Sequence, residues 1–342
     1  MSLKNLNASN KTHKFLIDKL KDKKIFQIYK KFENNIHLDQ DFIVGVSGGP
    51  DSLALSFLTK IYSIKKSLKV NYFHVDHRLR KNSSKEANFV KKLLKKLSIR
   101  LSILKWNGKK PKSNIQSIAR AKRYALLKRQ CQILKINYIL MGHQKDDVIE
   151  NFFIRLLRGS GLNGMVSFDE KSENQKINVI RPLLKFSKSD LIFISNKIFE
   201  TYIEDISNVN EHFKRVRIRN LIKTLQSEGL DTEKFNLTIK NLKFANDSIK
   251  FFTKNNITNN SSFLSKRKSI LLNKEFFNQP EEVVFRSISE IIKNVGKKYY
   301  PVRGKKIIKI VKLINNNTFF KITLGNCVIK RVNNTIIVSK EH

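Results

Sequence analysis

Between Asp41 and about Tyr202, short apolar runs alternate with amphipathic stretches. The runs are FIVGV (42–46), VNYFHV (70–75), RLSILKW (100–106) and YILMG (138–142), and helical periodicity falls near 52–66, 84–97, 115–135 and 145–158. Such alternation implies parallel strands side by side in one sheet, with helices on both faces. The expected fold class is α/β, a doubly wound, mostly parallel sheet. Ligands of such sheets lie outside the carboxyl ends of the strands. Those ends carry Ser47-Gly48-Gly49, Asp76-His77 and Gly142-His143, so glycine and polar residues gather on one rim.

The flanks read differently. FLIDKLKDKKIFQIYKKF (15–32) has the pattern of one basic amphipathic helix. Past Glu204 the alternation fades. Helical patterns recur near 233–254 and 280–295, NNITNNSS (255–262) reads as a loop, and KITL (321–324), CVIKRV (327–332) and TIIVS (335–339) read as strands. The expected partition is a basic N-terminal helix over 1–40, the α/β domain over 41–204, and a helical linker with a small α+β C-terminal domain over 205–342.

Composition narrows the function classes. The chain has 342 residues, with 68 Lys+Arg against 28 Asp+Glu and a formal charge of +40. An AT-rich genome inflates Lys, Asn and Ile but does not deplete acidic residues, so the excess points to a nucleic-acid partner. It names no reaction, because a basic surface attracts phosphate without sequence preference. The two cysteines, Cys131 and Cys327, form no CxxC pair, which argues against a disulfide framework, a zinc site or an iron–sulfur cluster. No apolar run approaches the ~20 residues of a membrane span, and MSLKNLNASNKTHK lacks a signal-peptide core. The expectation is a cytoplasmic protein with no membrane partner; monomer and oligomer are both left open.

The stretch Ser47-Gly48-Gly49-Pro50-Asp51-Ser52 is chemically the richest. A strand entering a helix through two glycines presents backbone N–H groups and the positive end of the helix dipole, a site suited to phosphate. Asp51 repels a bare phosphate and makes sense if a divalent cation bridges the two. The plain alternative is a strand–turn–helix in which Asp51 caps the helix. The Walker loop is absent: Gly159 and Gly164 have its spacing, but Met165 stands where lysine is required.

SGGPDS (47–52) resembles the pyrophosphatase loop of enzymes that cleave ATP to AMP and pyrophosphate. HVDHRLR (74–80), NIQSIARAKRY (114–124), MGHQKDDVIENFFIRLLRGSGLNGM (141–165), RPLL (181–184) and EDISN (204–208) follow in order. Together they are similar to the tRNA(Ile)-lysidine synthetase family, strongly over roughly 40–220 and loosely beyond. The resemblance implies an adenine nucleotide alpha hydrolase-like sheet, 41–204 being an ATP-pyrophosphatase catalytic domain and the C-terminal domain tRNA-binding. The activity implied is that of a carbon–nitrogen ligase. It uses ATP and Mg²⁺ to adenylate C2–O of the wobble cytidine in the CAU anticodon of an isoleucine tRNA. Free L-lysine then attacks, and lysidine, AMP and pyrophosphate result.

By resemblance, Ser47, Gly48, Gly49, Pro50, Asp51 and Ser52 hold ATP with His74, and Asp51 and Asp147 share Mg²⁺. Asp147 and Glu150, at i and i+3 on one helix face, receive the lysine ammonium; a solvated acidic turn is the alternative for that segment alone. Arg123, from the ARxxRY-like stretch that also holds Arg120, and His143 complete the expected catalytic set. Asp146 fits helix-start capping equally well. Gly159, Gly161 and Gly164 suit a substrate loop, with Arg158 on tRNA. Arg215, Arg217 and Arg219 are expected to meet RNA phosphate, facing one way if extended; a solvated basic face is the alternative. The family usually reads Arg-Asn-x-Ile-Arg there, whereas this chain has Arg-Val-Arg-Ile-Arg (215–219). Two rival readings stand beside this one. Another pyrophosphatase-loop tRNA-modifying enzyme such as a thiolase would need paired cysteines, and a non-catalytic tRNA-binding module would not need Asp147 or Glu150.

Overall fold

The structure is a computed structural model that describes residues 14–341 apart from 81, 109–110, 112, 114, 169–170, 175–176, 205–210, 212–213, 265–268, 299–300, 317 and 319. Most of EDISN (204–208) lies outside the described residues. The chain divides into two compact units, Met1–Phe235 and Asn236–His342. The expected boundary at 204/205 falls earlier. The helix over 214–227 belongs with the first unit because its Ile218 and Ile222 pack with Ile149.

The first unit opens with a helical turn over 14–18 and a 3₁₀ turn, Lys19–Lys21, before α1 (Lys23–Asn35). The single helix expected over 15–32 is broken at Asp22, which takes an extended ψ of 117° and caps α1 by accepting from Lys24 N (2.9 Å) and Ile25 N (3.1 Å). Four expected strand–helix pairs follow: β1 (Phe42–Gly45), α2 (Pro50–Lys66), β2 (Val70–Asp76), α3 (Ser83–Lys95), β3 (Leu101–Lys105), α4 (Ile115–Leu134), β4 (Tyr138–Met141) and α5 (Lys145–Leu156). A short helix α6 (Leu162–Met165), a hairpin β5 (Lys171–Asn174) and β6 (Ile177–Ile180), then α7 (Lys188–Phe199) and α8 (Lys214–Ser227) complete the unit.

The sheet order is β3-β2-β1-β4-β6-β5, parallel except for β5, which pairs antiparallel with β6 at the edge. All four residues of β1 are buried, as a central strand covered on both faces requires. α2 is buried along most of its length, from Ser52 to Ile61 almost without a break. Its Leu53, Leu55, Phe57 and Leu58 join the main core with Phe42, Phe186, Leu191 and Phe199. The order reverses at β1: β2 lies on one side and β4 on the other. The crevice beyond the ends of β1 and β4 is therefore the topological switch point, where open sheets hold ligands.

The second unit holds most of α9 (Thr232–Asn260) and an antiparallel sheet ordered β7-β8-β11-β10-β9. Its elements are β7 (Ser261–Leu264), β8 (Ser269–Leu272), α10 (Glu281–Val295), α11 (Gly304–Asn315), β9 (Lys321–Leu324), β10 (Cys327–Val332) and β11 (Thr335–Lys340). One core joins both helices to the sheet through Ile288, Ile291, Ile292, Ile307, Ile310, Ile329 and Val338. The expected loop at 255–262 is helix through Asn260 instead. Asn256 is buried and donates to the Phe276 carbonyl (3.2 Å) and Ser287 Oγ (3.1 Å), while Asn260 donates back to Asn256 (2.9 Å). Tertiary partners thus override the weak helix propensity of asparagine. Asn256→Ala is expected to lower stability by about 1–3 kcal/mol, because it strips buried acceptors of their donor. Urea unfolding measures it; an unchanged midpoint would refute the assignment. Among the described residues, no helix is long and apolar enough to cross a membrane.

Candidate active site

At the switch point, β1 leads through Val46–Gly49 into α2, with Gly49 as N-cap and Pro50 at the start of the helix, where proline's missing N–H costs nothing. Gly48 has φ +95°, a region that side chains avoid. A Cβ there would stand 2.5 Å from Val90 Cγ2, whereas one on Gly49 would find only the Ile203 carbonyl, at 3.9 Å. Ser52 Oγ accepts from the N–H of Ser47 (3.1 Å) and Gly48 (3.0 Å) and donates to the Gly49 carbonyl (3.0 Å). Two N–H groups expected to be free are thus occupied by Ser52. The open side of the corner is at Gly49 and the first turn of α2. Gly142 brings the end of β4 against that turn: a Cβ would meet Asp51 C and O and Ser52 Cα, each at 3.1 Å.

Three acidic side chains approach this corner. Asp51 accepts from Lys188 Nζ with both oxygens, at 2.9 and 3.0 Å. Burial lifts its carboxyl above the usual range; Lys188 opposes the rise, and the charges of Asp147 and Asp146 add to it. At the start of α5, Gln144 Oε1 accepts from Asp146 N (2.8 Å), while Asp147 Oδ2 accepts from Gln144 N (3.0 Å). Asp147, expected to be a ligand residue, thus also closes the capping box. Glu150, 3 % exposed, sits between two arginines: Oε2 is 2.8 Å from Arg215 Nε and Oε1 is 2.5 Å from Arg219 Nε. Asp147 Oδ1 lies 3.5 Å from Arg215 Nη2. Burial holds the Glu150 carboxyl above its usual range despite Arg219 and Arg215.

The arginine run is helical, which corrects the extended reading. In α8 the i, i+4 spacing puts Arg215 and Arg219 on one face, against the carboxylates of α5. Arg217 leaves that face and donates to the Glu211 carbonyl (2.9 Å). Phe153 and Phe152 pack on Phe235, the former stacked at 5.4 Å and the latter edge-on at 5.1 Å, which makes them packing rather than free platforms.

Histidines and arginines line the remaining side. His74 Nδ1 lies 2.9 Å from the Val46 carbonyl; a carbonyl only accepts, so Nδ1 carries the proton. Burial holds its pKa down. His143 is buried, with Nε2 3.4 Å from Arg120 Nη1 and no hydrogen-bond partner at Nδ1. Burial, then the charges of Arg120, Arg181, Arg215 and Arg123, push its pKa well below the ordinary value. The ring is therefore neutral. A guanidinium only donates, so Nε2 accepts from Arg120 and Nδ1–H is a buried donor awaiting an acceptor.

His77 supplies a pH test. Burial, then Arg123 and His74, lower its pKa from 6.5 to about 4. Below pH 6.5 the unfolded chain takes up a proton that the folded chain refuses. The stability linked to His77 is therefore complete above 6.5 and is lost as pH falls toward about 4. His77→Gln is expected to flatten the decline of unfolding free energy between pH 6.5 and 4; a slope equal to the parent's would sink this assignment.

Comparison with known proteins decides the family. A PP-loop domain family matches residues 19–225. A tRNA(Ile)-lysidine synthase of Wolbachia pipientis wMel is 34 % identical over 306 residues, covering 87 % of this chain and 70 % of its own. That of Rickettsia akari (strain Hartford) is 31 % identical over 326 residues, covering 92 % and 74 %. The chain belongs to the tRNA(Ile)-lysidine synthase family. It is a ligase with an ATP-binding PP-loop domain. A U34-tRNA thiolase from Methanococcus maripaludis, solved with its 4Fe-4S cluster, superposes with a TM-score of 0.56 at 16 % identity, over 66 % of this chain and 80 % of that one. That likeness is one of fold.

In this lysidine synthase family member, the residues expected from sequence converge unevenly. Asp51, Asp147, Glu150 and His143 gather at the switch point. Arg123 lies near enough to His74, His77 and His143 to depress all three. Arg158 is exposed at the end of the stretch after α5, where Gly159 alone of the three loop glycines has a positive φ, +64°. Two residues had not been singled out: Lys188, which holds Asp51, and Arg181, buried beside His143 with its guanidinium 4.8 Å from the Phe168 ring centre. Its place as the first residue of RPLL (181–184) was the only signal for Arg181. Lys188 carried none.

Proposed function

We propose that the chain joins lysine to the wobble cytidine of a CAU-anticodon isoleucine tRNA. The C2 oxygen of cytidine attacks the α-phosphorus of ATP, and pyrophosphate leaves. The lysine ε-amine then attacks C2 and loses a proton; the C2–O bond breaks and AMP departs with that oxygen. The observation that carries this reading is a carboxylate pair beside a glycine corner, Glu150 buried and Asp147 half-buried. ATP cleavage alone does not require such a pair, whereas an incoming ammonium does.

The chain's own groups suit each part. Gly49 and the first turn of α2 offer the pyrophosphate an open approach and the dipole end, Ser52 keeps the loop in shape, and His74 braces β2 against β1. Arg123 supplies a fixed positive charge. His143 Nδ1–H suits an oxygen of the adenylated cytidine. Asp147, more loosely paired than Glu150, is the better placed to meet the lysine ammonium and take its proton. Arg158 and Arg217, with Arg215 and Arg219 when displaced from Glu150, suit RNA phosphate.

Mg²⁺ fits as a companion of ATP rather than a resident ion. Among the described residues no three potential ligands cluster, but Asp51 bears the repulsion of Asp147 and Asp146, which a cation would relieve. Asp51 and Asp147 would hold it along with phosphate oxygens. When bound, it supplies charge neutralisation of the leaving pyrophosphate.

The test is AMP formation from ATP with CAU-anticodon isoleucine tRNA, with and without lysine, against a transcript whose wobble cytidine is uridine. AMP that requires both lysine and the cytidine is expected. AMP indifferent to lysine would overturn the second substrate, and tRNA binding without AMP would reduce the chain to a binding module.

A further inference from the structure

α9 is built inside out across the second unit. Its buried positions there are Ile239, Asn246, Thr253 and Asn256, mostly polar. They are tied to the unit by hydrogen bonds: Arg286 donates to Asn246 Oδ1 (2.8 Å), and Asn256 reaches Phe276 and Ser287. Ile257 packs against the unit's core, but four large apolar residues face outward instead. Leu237, Phe244, Phe251 and Phe252 are 56, 59, 61 and 57 % exposed. Leu237, Phe244 and Phe251 recur every seven residues and so form one line along the helix, with steps of about 10 Å. Isolated exposed apolar residues need no explanation; an ordered line of them marks a surface made for a partner.

Charge chooses the partner. Lys240 Nζ stands 5.6 Å from the Phe244 ring centre, Lys250 and Lys254 flank Phe251 and Phe252, and Asp247, the acidic residue among them, is taken by Lys250 at 2.8 Å. A second copy would set these lysines against themselves, in a chain of net charge +40, whereas a helical seam needs complementary charges beside its apolar line. Flat rings among lysines match bases and phosphates together. We propose that this face docks a single-stranded or looped stretch of the substrate tRNA, with bases against Phe244, Phe251 and Phe252 and phosphates beside Lys240, Lys250 and Lys254. It rests on the tRNA reading above and on the tRNA-binding C-terminal domain that the resemblance implies, and adds the face and the residues that make the contact.

The test compares the full chain with two double variants, Phe244→Leu/Phe251→Leu and Phe244→Tyr/Phe251→Tyr. Both sites are exposed, so thermal unfolding should match the parent. Affinity for the isoleucine tRNA transcript is read at one fixed salt concentration. The leucine pair is expected to bind about tenfold or more weakly, since each stacked base is lost, and the tyrosine pair to stay close to the parent. Lysine-dependent AMP release at saturating tRNA should be unchanged in both. Equal affinity in all three proteins would overturn the proposal. So would a parent dimer that the leucine pair or Phe244→Ser/Phe251→Ser disperses with RNA binding intact, which would assign the face to a second copy. Failure of the functional reading shows separately, as absent lysine-dependent AMP in the parent; the same affinity comparison with a short oligouridine then still decides the docking face.

Discussion

Glu150→Gln is expected to lower lysine-dependent AMP release by about 10²–10³-fold while leaving the protein folded. The two halves of this expectation come from one observation. Glu150 is 3 % exposed and held by Arg215 and Arg219, yet its carboxyl lies above the ordinary range because burial outweighs both arginines. A buried carboxylate in that state is weak evidence for stability. The arginine side chains are 31 and 38 % exposed, so water can serve them once the charge is gone. Glutamine keeps the shape and removes the charge that would balance an incoming ammonium. Exchange of pyrophosphate into ATP in the presence of tRNA should survive, since it precedes lysine. A variant that still releases AMP with lysine at near-parent rate would remove Glu150 from the site, and one that unfolds would make its role structural.

The two loop glycines should separate fold from ligand. Gly48→Ala places a Cβ at φ +95° and 2.5 Å from Val90. It should cost about 2–4 kcal/mol, combining backbone strain and overpacking, with ATP binding lost alongside. Gly49→Ala meets no atom closer than 3.9 Å, so the melting temperature should move little. Its methyl group, however, stands on the open side proposed for pyrophosphate, and ATP affinity should fall at least tenfold, by about 1.4 kcal/mol or more. Calorimetric titration with ATP and thermal unfolding of both variants measure this. Equal damage to stability by the two, or unchanged ATP affinity in Gly49→Ala, would place the nucleotide elsewhere.

Much of the fold was legible. FIVGV, VNYFHV and YILMG fall on β1, β2 and β4, and the helical patterns near 52–66, 84–97, 115–135 and 145–158 fall on α2 to α5, because a buried strand and an amphipathic helix each impose a local period. Where the structure departs, a specific contact wins. Asp22 breaks the expected helix with an extended backbone and starts α1 with its carboxylate, Asn256 extends another helix by finding buried partners, and Arg215 and Arg219 are drawn into a helix whose Val216, Ile218 and Ile222 are buried.

The sequence by itself determined the glycine corner, the parallel layers and the rim on which the polar residues meet, since each is written in neighbouring residues. Tertiary structure alone decided what those residues face. Asp51 meets Lys188 across 137 positions and Glu150 meets Arg219 across 69. Ion pairs between distant segments leave no periodic trace in a chain so rich in lysine and arginine. Any of many cations could have filled either place, and only the packing of α7 on α2 and of α8 on α5 selected these.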